Sequence, residues 1–535
     1  MYEVYYKLMA NDVLVNSVKS VKPLGTFLLV AIISAIVSVL GLLVLPDLGF
    51  EKLTLLLSPI GFTAVIGGVL GLEGYIYYLR WLFAKPERIF LLYALTMDLV
   101  VFAMHSVEDA THLSLKTTTW SFLIYTIPFL LLLVKGKQFD FRRTPLATCM
   151  LLFLVLNTIY YFIYNQHAVD LLFQVAGDYV QLDWTRLIST INITMLVLTT
   201  TKFLQSLKSP DAFFETFSRY FYWLMLVLAV SAIVFYPLGI LTVEIGIKRM
   251  ALIFSHPNAF AHHLTVSMCF LMGSAFYLMG KNKQKFANQI FMAMPLLFIA
   301  LATSGSKSPL IQVTLGMLII GVLEVICNKR RIPIFSNPKL LIASVLGISL
   351  LAGGAVAGGL VDNFQKRFEE DSSLQWRYRQ WGRIMGNVDP DKILYGHGDT
   401  AAINITQRFV YNTWNMRDDE QESPYVHNTI LEHFFDFGLI GLIWLFGFIY
   451  SAWLNVKNLF DKSLPQRYKS LNISCLAIFV IQMIGLAFDE SFYMPSPIAV
   501  WALWTIQYFV ATQYQFARRY GYPLPVENNL VGEPA

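Results

Sequence analysis

His427 and Asn428 stand side by side where polar sequence gives way to an apolar run, in PYVHNTILEHFFDFGLIGLIWLF at 424–446. A histidine at such a seam between water and bilayer can exchange a proton near neutral pH while facing a lipid-bound substrate; it can also simply hydrogen-bond a carbonyl. Asn428 suits the start of a helix, because its side-chain oxygen accepts an otherwise unpaired backbone N–H. On that helix Gly438 and Gly441, three apart, would lie close to one face and let a neighbouring helix approach. A second chemistry is anion binding, offered by Lys248, Arg249, Lys307, Arg377, Arg379, Arg383 and Arg408, with His256 nearby in sequence to Arg249.

The elements that must position these groups follow from composition. Of 535 residues 56% are hydrophobic and 14% charged, which a soluble chain of this length would not show. Apolar runs of helical length fall near 24–45, 53–79, 89–105, 119–134, 145–164, 187–207, 220–241, 258–279, 287–303, 309–327, 339–360, 436–455, 470–488 and 496–513. The expected fold is therefore all-α and polytopic, with about 14 transmembrane helices. The runs near 119–134 and 287–303 are short enough to be re-entrant. The first run lacks a small-residue cleavage pattern and reads as an uncleaved span. All four cysteines lie in or at the end of apolar runs, so no disulfide framework is implied.

Loop charge gives an orientation. Connections at 80–88, 135–143, 281–285, 329–339 and 457–469 and the pair Arg518-Arg519 are basic, while the intervening short loops carry Asp47, Glu51, Glu108, Asp109, Asp170, Asp178, Asp183, Asp489 and Glu490. Basic flanks stay in the cytoplasm, which puts both termini there and makes every other loop external. The expected organisation is a cytoplasmic segment 1–22, helices 1–11 across 23–360, a large external loop 361–427, helices 12–14 across 428–513, and a polar, disordered tail 514–535. Positive charge then collects in external connections, against the usual bias. Anionic ligands are the simplest use for it; the alternative is snorkelling to lipid phosphates. The loop's first half spaces Phe364, Phe368, Trp376 and Trp381 among charges, which suggests one or two short amphipathic helices on the membrane surface.

Some chemistries fall away. The chain has no Gly-x-x-x-x-Gly-Lys-Ser/Thr phosphate loop, which argues against direct ATP use. His256, His262 and His263 lack the His-Glu-x-x-His spacing of a zinc site. Asp389-Pro390-Asp391 has the spacing of a metal-binding Asp-x-Asp element, but a proline between carboxylates reads as turn punctuation.

HNTILEHFFDFGLIG resembles the His-Asn/Ser-x-x-Leu-x6-Gly-x-x-Gly signature of the bacterial O-antigen ligase and O-antigen polymerase superfamily. Three further pieces resemble the family's elements in the same order. They are Arg249 followed by SHPNAFAHHL, the turn Ser306-Lys307-Ser308 before a span, and ILYGHG at 393–398 after a Trp/Arg-rich helix. Lys307 stands where the family pattern has arginine, and lysine lacks the bidentate fork that suits phosphate. The resemblance covers roughly 240–450 and implies a membrane-embedded glycan transferase. Such an enzyme moves an oligo- or polysaccharide from a polyprenyl diphosphate carrier to an acceptor sugar hydroxyl, outside the bacterial cytoplasmic membrane. It implies an inverting reaction without metal, nucleotide or other cofactor, with a glycan or glycolipid acceptor as partner and no nucleic acid. His427 is the implied base; Arg249, Lys307, Arg377 and Arg379 are the implied diphosphate ligands; Asn428 and His256 support them. Ligase and polymerase share these motifs, with a lean to polymerase because no feature points to a lipid-A-type partner. A flippase for lipid-linked oligosaccharide should instead carry charge at mid-membrane depth, where this sequence has few charges beyond Glu73, Asp98 and Lys202. A non-catalytic assembly subunit would leave the pairing of His427 with Arg249 without a use.

Overall fold

The computed structural model describes residues 143–172, 179–207, 209–239, 242–245, 247–252, 254, 257–329, 372–398, 401–406, 426–488 and 495–520. Chain contacts divide the protein into Met1–Pro86 and Glu87–Ala535, and every described residue belongs to the second unit. The spans expected near 24–45, 53–79, 89–105, 119–134 and 339–360 lie outside the described residues. So do His256, residues 361–371 and 407–425 of the large loop, which include Arg408, and residues 1–22 and 521–535; residues 514–520, expected in the disordered tail, are instead the last turns of the helix Pro495–Tyr520.

The described chain is nearly all helical. Its helices are α1 (Pro145–Leu172), α2 (Tyr179–Ser206), α3 (Pro210–Leu238), α4 (Pro257–Met279), α5 (Gln284–Thr303), α6 (Lys307–Asn328), α7 (Ser372–Gly386), α8 (Thr429–Phe437), α9 (Ile443–Leu459), α10 (Gln466–Phe488) and α11 (Pro495–Tyr520). Among the described residues, six stretches are long and apolar enough to cross a membrane: α3, α4, α5, α6, Ile440–Leu459 and α10. The run near 287–303, short enough in sequence to be re-entrant, lies in a continuous helix of 20 residues. One element departs from the all-α expectation. Thr242–Ile245 and Ile247–Met250 form an antiparallel hairpin, β1 and β2, in the connection between α3 and α4. Its β-branched Thr242, Val243, Ile245 and Ile247 favour extended backbone.

Helix α4 is the centre of the bundle. Nearly every side chain from Pro257 to Leu278 is buried, because α5, α6, α10 and α11 all pack on it. Small residues allow the close approaches. A Cβ at Gly273 of α4 would lie within 3.0 Å of Ser474 on α10, one at Gly316 of α6 within 3.0 Å of Cys269 on α4, and one at Gly447 of α9 within 3.0 Å of Cys149 on α1. These glycines carry the helix packing that the sequence suggested for Gly438 and Gly441. The expected span at 436–455 is broken: α8 stops at Gly438, whose φ of +68° no helix accommodates, a 3-10 turn follows at Ile440–Leu442, and α9 begins at Ile443. Gly438 faces the backbone of Leu394 and Tyr395 instead, and Gly441 folds back on His433 and Phe437 of α8.

The connections gather at two ends of the bundle. One end has the starts of α3 and α10 and the α4–α5 turn, where Asp211 accepts hydrogen bonds from Tyr277 and from Tyr468 at 2.8 Å and Glu215 pairs with Lys281 and Lys283. Ser209 caps α3 there, its hydroxyl accepting from Ala212 N. The other end holds the hairpin, the α5–α6 turn, α7 and the His427 segment, which are the pieces with candidate chemistry.

Candidate active site

Arg249 sits on β2 opposite Val243 and is buried, 3% exposed. Its Nε donates to the Ser304 carbonyl at 2.9 Å, and its Nη2 donates to Asn258 Oδ1 at 2.6 Å and to Ser306 Oγ at 2.8 Å. Ser306 Oγ in turn donates to Asn258 Oδ1 at 2.9 Å. The α5–α6 turn is built for this. Gly305 adopts φ +62°, and Ser304 Oγ accepts from Ser306 N at 3.2 Å while donating to Leu301 O at 2.7 Å. Three separate pieces of sequence, Arg249, the Pro257-Asn258 start of α4 and the 304–308 turn, therefore close around one guanidinium. Lys307 follows at the first position of α6 and is half-buried. The positive end of that helix and the lysine together favour an anion beside the Arg249 cluster.

His427 is held from both sides. Before it, Val426 is fully buried with Ile384, Ala402, Ile403 and Phe435. After it, Asn428 caps α8, its Oδ1 accepting from Leu431 N at 2.9 Å, as its sequence position suggested. Between these anchors His427 takes φ +49°, a left-handed conformation that costs a side-chain-bearing residue about 1–3 kcal/mol. The residue itself is half-buried.

Helix α7 locks this segment to the bundle. Trp381 Nε1 donates to the Val426 carbonyl at 2.9 Å, and its ring lies 5.8 Å from that of Phe488 at the end of α10. One turn earlier Arg377 Nη1 donates to the Phe488 carbonyl at 2.7 Å. Arg377 thus shares a helix face with the residue that fixes the backbone next to His427. Arg379, two residues on, lies across the helix and is exposed. The structure separates the two arginines that the sequence grouped together, and Arg377 is the one at the junction.

The ILYGHG strip docks on α8 through its backbone. His397 N donates to Phe435 O at 3.0 Å, Gly398 N to Asp436 O at 2.9 Å, Leu439 N to Ile393 O at 2.9 Å and Ile440 N to Leu394 O at 3.2 Å. Gly396 and Gly438 are both left-handed at the crossing, and a Cβ on either would lie within 3.0 Å of the other strand's backbone. The His397 ring stacks on Phe435 with centroids 4.1 Å apart; its Nε2 accepts from Asp389 N at 3.0 Å, so Nδ1 is the nitrogen that donates to Phe435 O. Asp389 caps the turn Pro390–Lys392 by accepting from Asp391 N, the punctuation role read for it.

A continuous set of contacts joins the two halves. One turn into α4 from Asn258, His262 Nε2 pairs with Gln482 Oε1 at 3.1 Å, and its ring fills the space over Gly485 of α10. Phe488, which accepts from Arg377, ends the same helix. The sequence reading passed over His262 as part of a false metal cluster, over Trp381 as an interfacial aromatic, and over Gln482 altogether. A single glutamine deep in an apolar run was the available signal, since an intramembrane amide needs a partner.

Residues 292–446 match the family model described as O-antigen ligase. The matched range takes in the 304–308 turn, α7, the 393–398 strip and the His427 segment; the Arg249 hairpin lies before it. No curated protein matches the chain.

Proposed function

From the match of residues 292–446 to the O-antigen ligase family model, we propose that the chain is a member of the O-antigen ligase and polymerase superfamily and transfers glycan from a polyprenyl diphosphate to an acceptor sugar hydroxyl. The observation that carries this reading is the junction at one end of the bundle. Arg249, Asn258 and Ser306 form one hydrogen-bonded cluster there with Lys307 next in sequence, and α10 ties it to Arg377, Trp381 and the strained His427.

In the reaction the acceptor hydroxyl oxygen attacks the anomeric carbon as the bond from that carbon to the diphosphate oxygen breaks. The hydroxyl proton passes to His427, and the bonding pair leaves with the diphosphate. A diphosphate is already a good leaving group, so the protein's task is to neutralise the charge that grows on it. Fixed donors in a partly dry site do this, at about 3 to 4 kcal/mol for each one removed. Lys307 and Arg377 are the cations we place against the diphosphate. Arg249 has Nε and Nη2 committed to protein acceptors, so its first role is to hold the turn that presents Lys307. Asn428 fixes the start of α8 and with it the backbone of His427. Attack from the face opposite the diphosphate inverts the anomeric centre, and the transfer needs neither metal nor nucleotide.

In this reading the end bearing Lys281, Lys283, Arg518 and Arg519 faces the cytoplasm of a bacterial inner membrane, and the junction faces outward. The described parts of the 361–427 segment, α7 and the 393–398 strip, then cover the site from outside. Purified protein should transfer glycan from lipid-linked donor in excess chelator without nucleotide; a strict requirement for a divalent cation would sink the metal-free mechanism. We favour polymerase over ligase. Single repeats attached to their acceptor in a deletion strain, with long chains missing, would support that assignment, and accumulation of unattached polymer would reverse it.

A further inference from the structure

At the end of the bundle opposite the junction, α9 and α11 diverge around a cavity of ≈ 670 Å³. Each helix lines it with one face. On α9 that face runs through Tyr450, Leu454 and Lys457, and on α11 through Thr512, Phe516 and Arg519, the helical spacing of a continuous stripe. The α9 stripe changes from aromatic and aliphatic toward the bundle's middle to cationic at its end, and the α11 stripe passes from Thr512 and Phe516 to Arg519. Lys457, Arg518 and Arg519 are exposed at the rim, and Phe460 beside them is 80% exposed. A phenylalanine that bare belongs at a membrane interface, where its ring is not in water.

We propose that this groove binds an anionic phospholipid, with an acyl chain along Tyr450 and Leu454 and the headgroup phosphate among Lys457, Arg518 and Arg519. Asp461 is the one acid in the lining, and it stays ionised beside Arg518, whose Nη1 donates to Ser463 Oγ. Asp461 accepts from Ser463 Oγ at 2.6 Å, Ser463 N at 2.8 Å and Gln515 Nε2 at 3.3 Å, bonds that, with the Ser463 hydroxyl foremost, hold its carboxyl below the usual carboxylate range. Lys457, Arg518 and Arg519 against this one carboxylate leave the rim net positive. A second cavity at the same end, ≈ 480 Å³, has related chemistry: Arg219, Lys285 and Lys283, the last paired with Glu215, line it with Trp223 and Phe286. Paired basic and aromatic linings at one end of a membrane bundle match the anionic leaflet surface, where each Lys or Arg contributes measurable attraction.

The test uses full-length protein in uncharged detergent, followed by thermal unfolding and native mass spectrometry with phosphatidylglycerol, phosphatidylcholine or inorganic phosphate at matched ionic strength. Phosphatidylglycerol should raise Tm and remain bound, with apparent affinity falling about five-fold for each cation neutralised in K457Q/R518Q/R519Q. Equal stabilisation by phosphatidylcholine, or by inorganic phosphate alone, would overturn the proposal, as would a triple variant that retains the lipid like wild type. Should the triple variant not fold, the single exposed change Arg519→Gln carries the same comparison. The readout is lipid retention, so it stands or falls apart from glycan transfer at the other end.

Discussion

Ser306 accepts a hydrogen bond from Arg249 Nη2 at 2.8 Å across 57 residues of chain, and Lys307 follows directly as the first residue of α6. The cation in the hairpin thereby sets where the cation on the helix stands. Arg249→Lys keeps the charge but offers one donor centre where Ser304, Ser306 and Asn258 need a fork. It should lower the thermal stability of the purified protein by about 1.5–3 kcal/mol, the worth of a charged hydrogen bond, and reduce transfer as well. Ser306→Ala should do the same more mildly. Transfer lost with an unchanged melt would instead put Arg249 directly on the diphosphate. Lys307→Arg should be tolerated or beneficial, because a bidentate group replaces a point charge.

His427→Ala should leave binding of lipid-linked donor largely intact while turnover falls about two to four orders of magnitude, the range for a lost general base. The left-handed backbone allows a sharper comparison. His427→Gly relieves the conformational cost and should unfold at or above the wild-type temperature, yet be as inactive as the alanine variant. Near-normal transfer by either, in correctly inserted protein, removes His427 from the chemistry.

Trp381→Phe keeps the ring against Phe488 and deletes only the N–H that holds the Val426 carbonyl. A neutral hydrogen bond of about 0.5–1.5 kcal/mol corresponds to a loss of roughly two- to ten-fold in transfer if it positions His427 in the transition state. The effect should fall on turnover more than on the concentration of donor at half-maximal rate. Equal rates for the two proteins would show that Val426 holds its place without Trp381.

Gly438→Ala meets two obstacles at once, a positive φ and the Leu394–Tyr395 backbone within 3.0 Å of the new Cβ. It should destabilise the protein by about 1–3 kcal/mol or more and free the 393–398 strip for proteolysis. Gly382→Ala is the control: nothing lies within 4 Å of that position on α7, and replacing a helical glycine should stabilise by about 0.5–1 kcal/mol. Melting curves of the two variants should move in opposite directions.

Orientation is open to labelling. In a background without the native cysteines, Arg379→Cys should react with an impermeant thiol reagent in cells whose outer layers are permeable, and Lys283→Cys only after lysis. Both positions are exposed. Labelling of Lys283→Cys from outside would invert the bundle and put the proposed site on the cytoplasmic face.

The sequence determined what depends on near neighbours. Hydropathy over about 20 residues places a span wherever backbone polar groups must be satisfied in lipid, and α3–α6 and α10 lie where their apolar runs stand. Asn428 begins a helix because its own side chain reaches the N–H three residues on. Resemblance picked out Arg249, Pro257-Asn258, the 304–308 turn, 393–398 and His427, but as five stations along a chain. Their assembly belongs to the tertiary structure. The guanidinium of Arg249 chooses Ser304, Ser306 and Asn258 only once α4, α5 and α6 have packed, and Arg377 finds Phe488 across 111 residues only once α7 lies over the end of α10. The same packing overruled a local rule at Gly438 and Gly441. Their spacing fits a helix face, yet the approach of the 393–398 backbone required a left-handed residue there, and the helix ended.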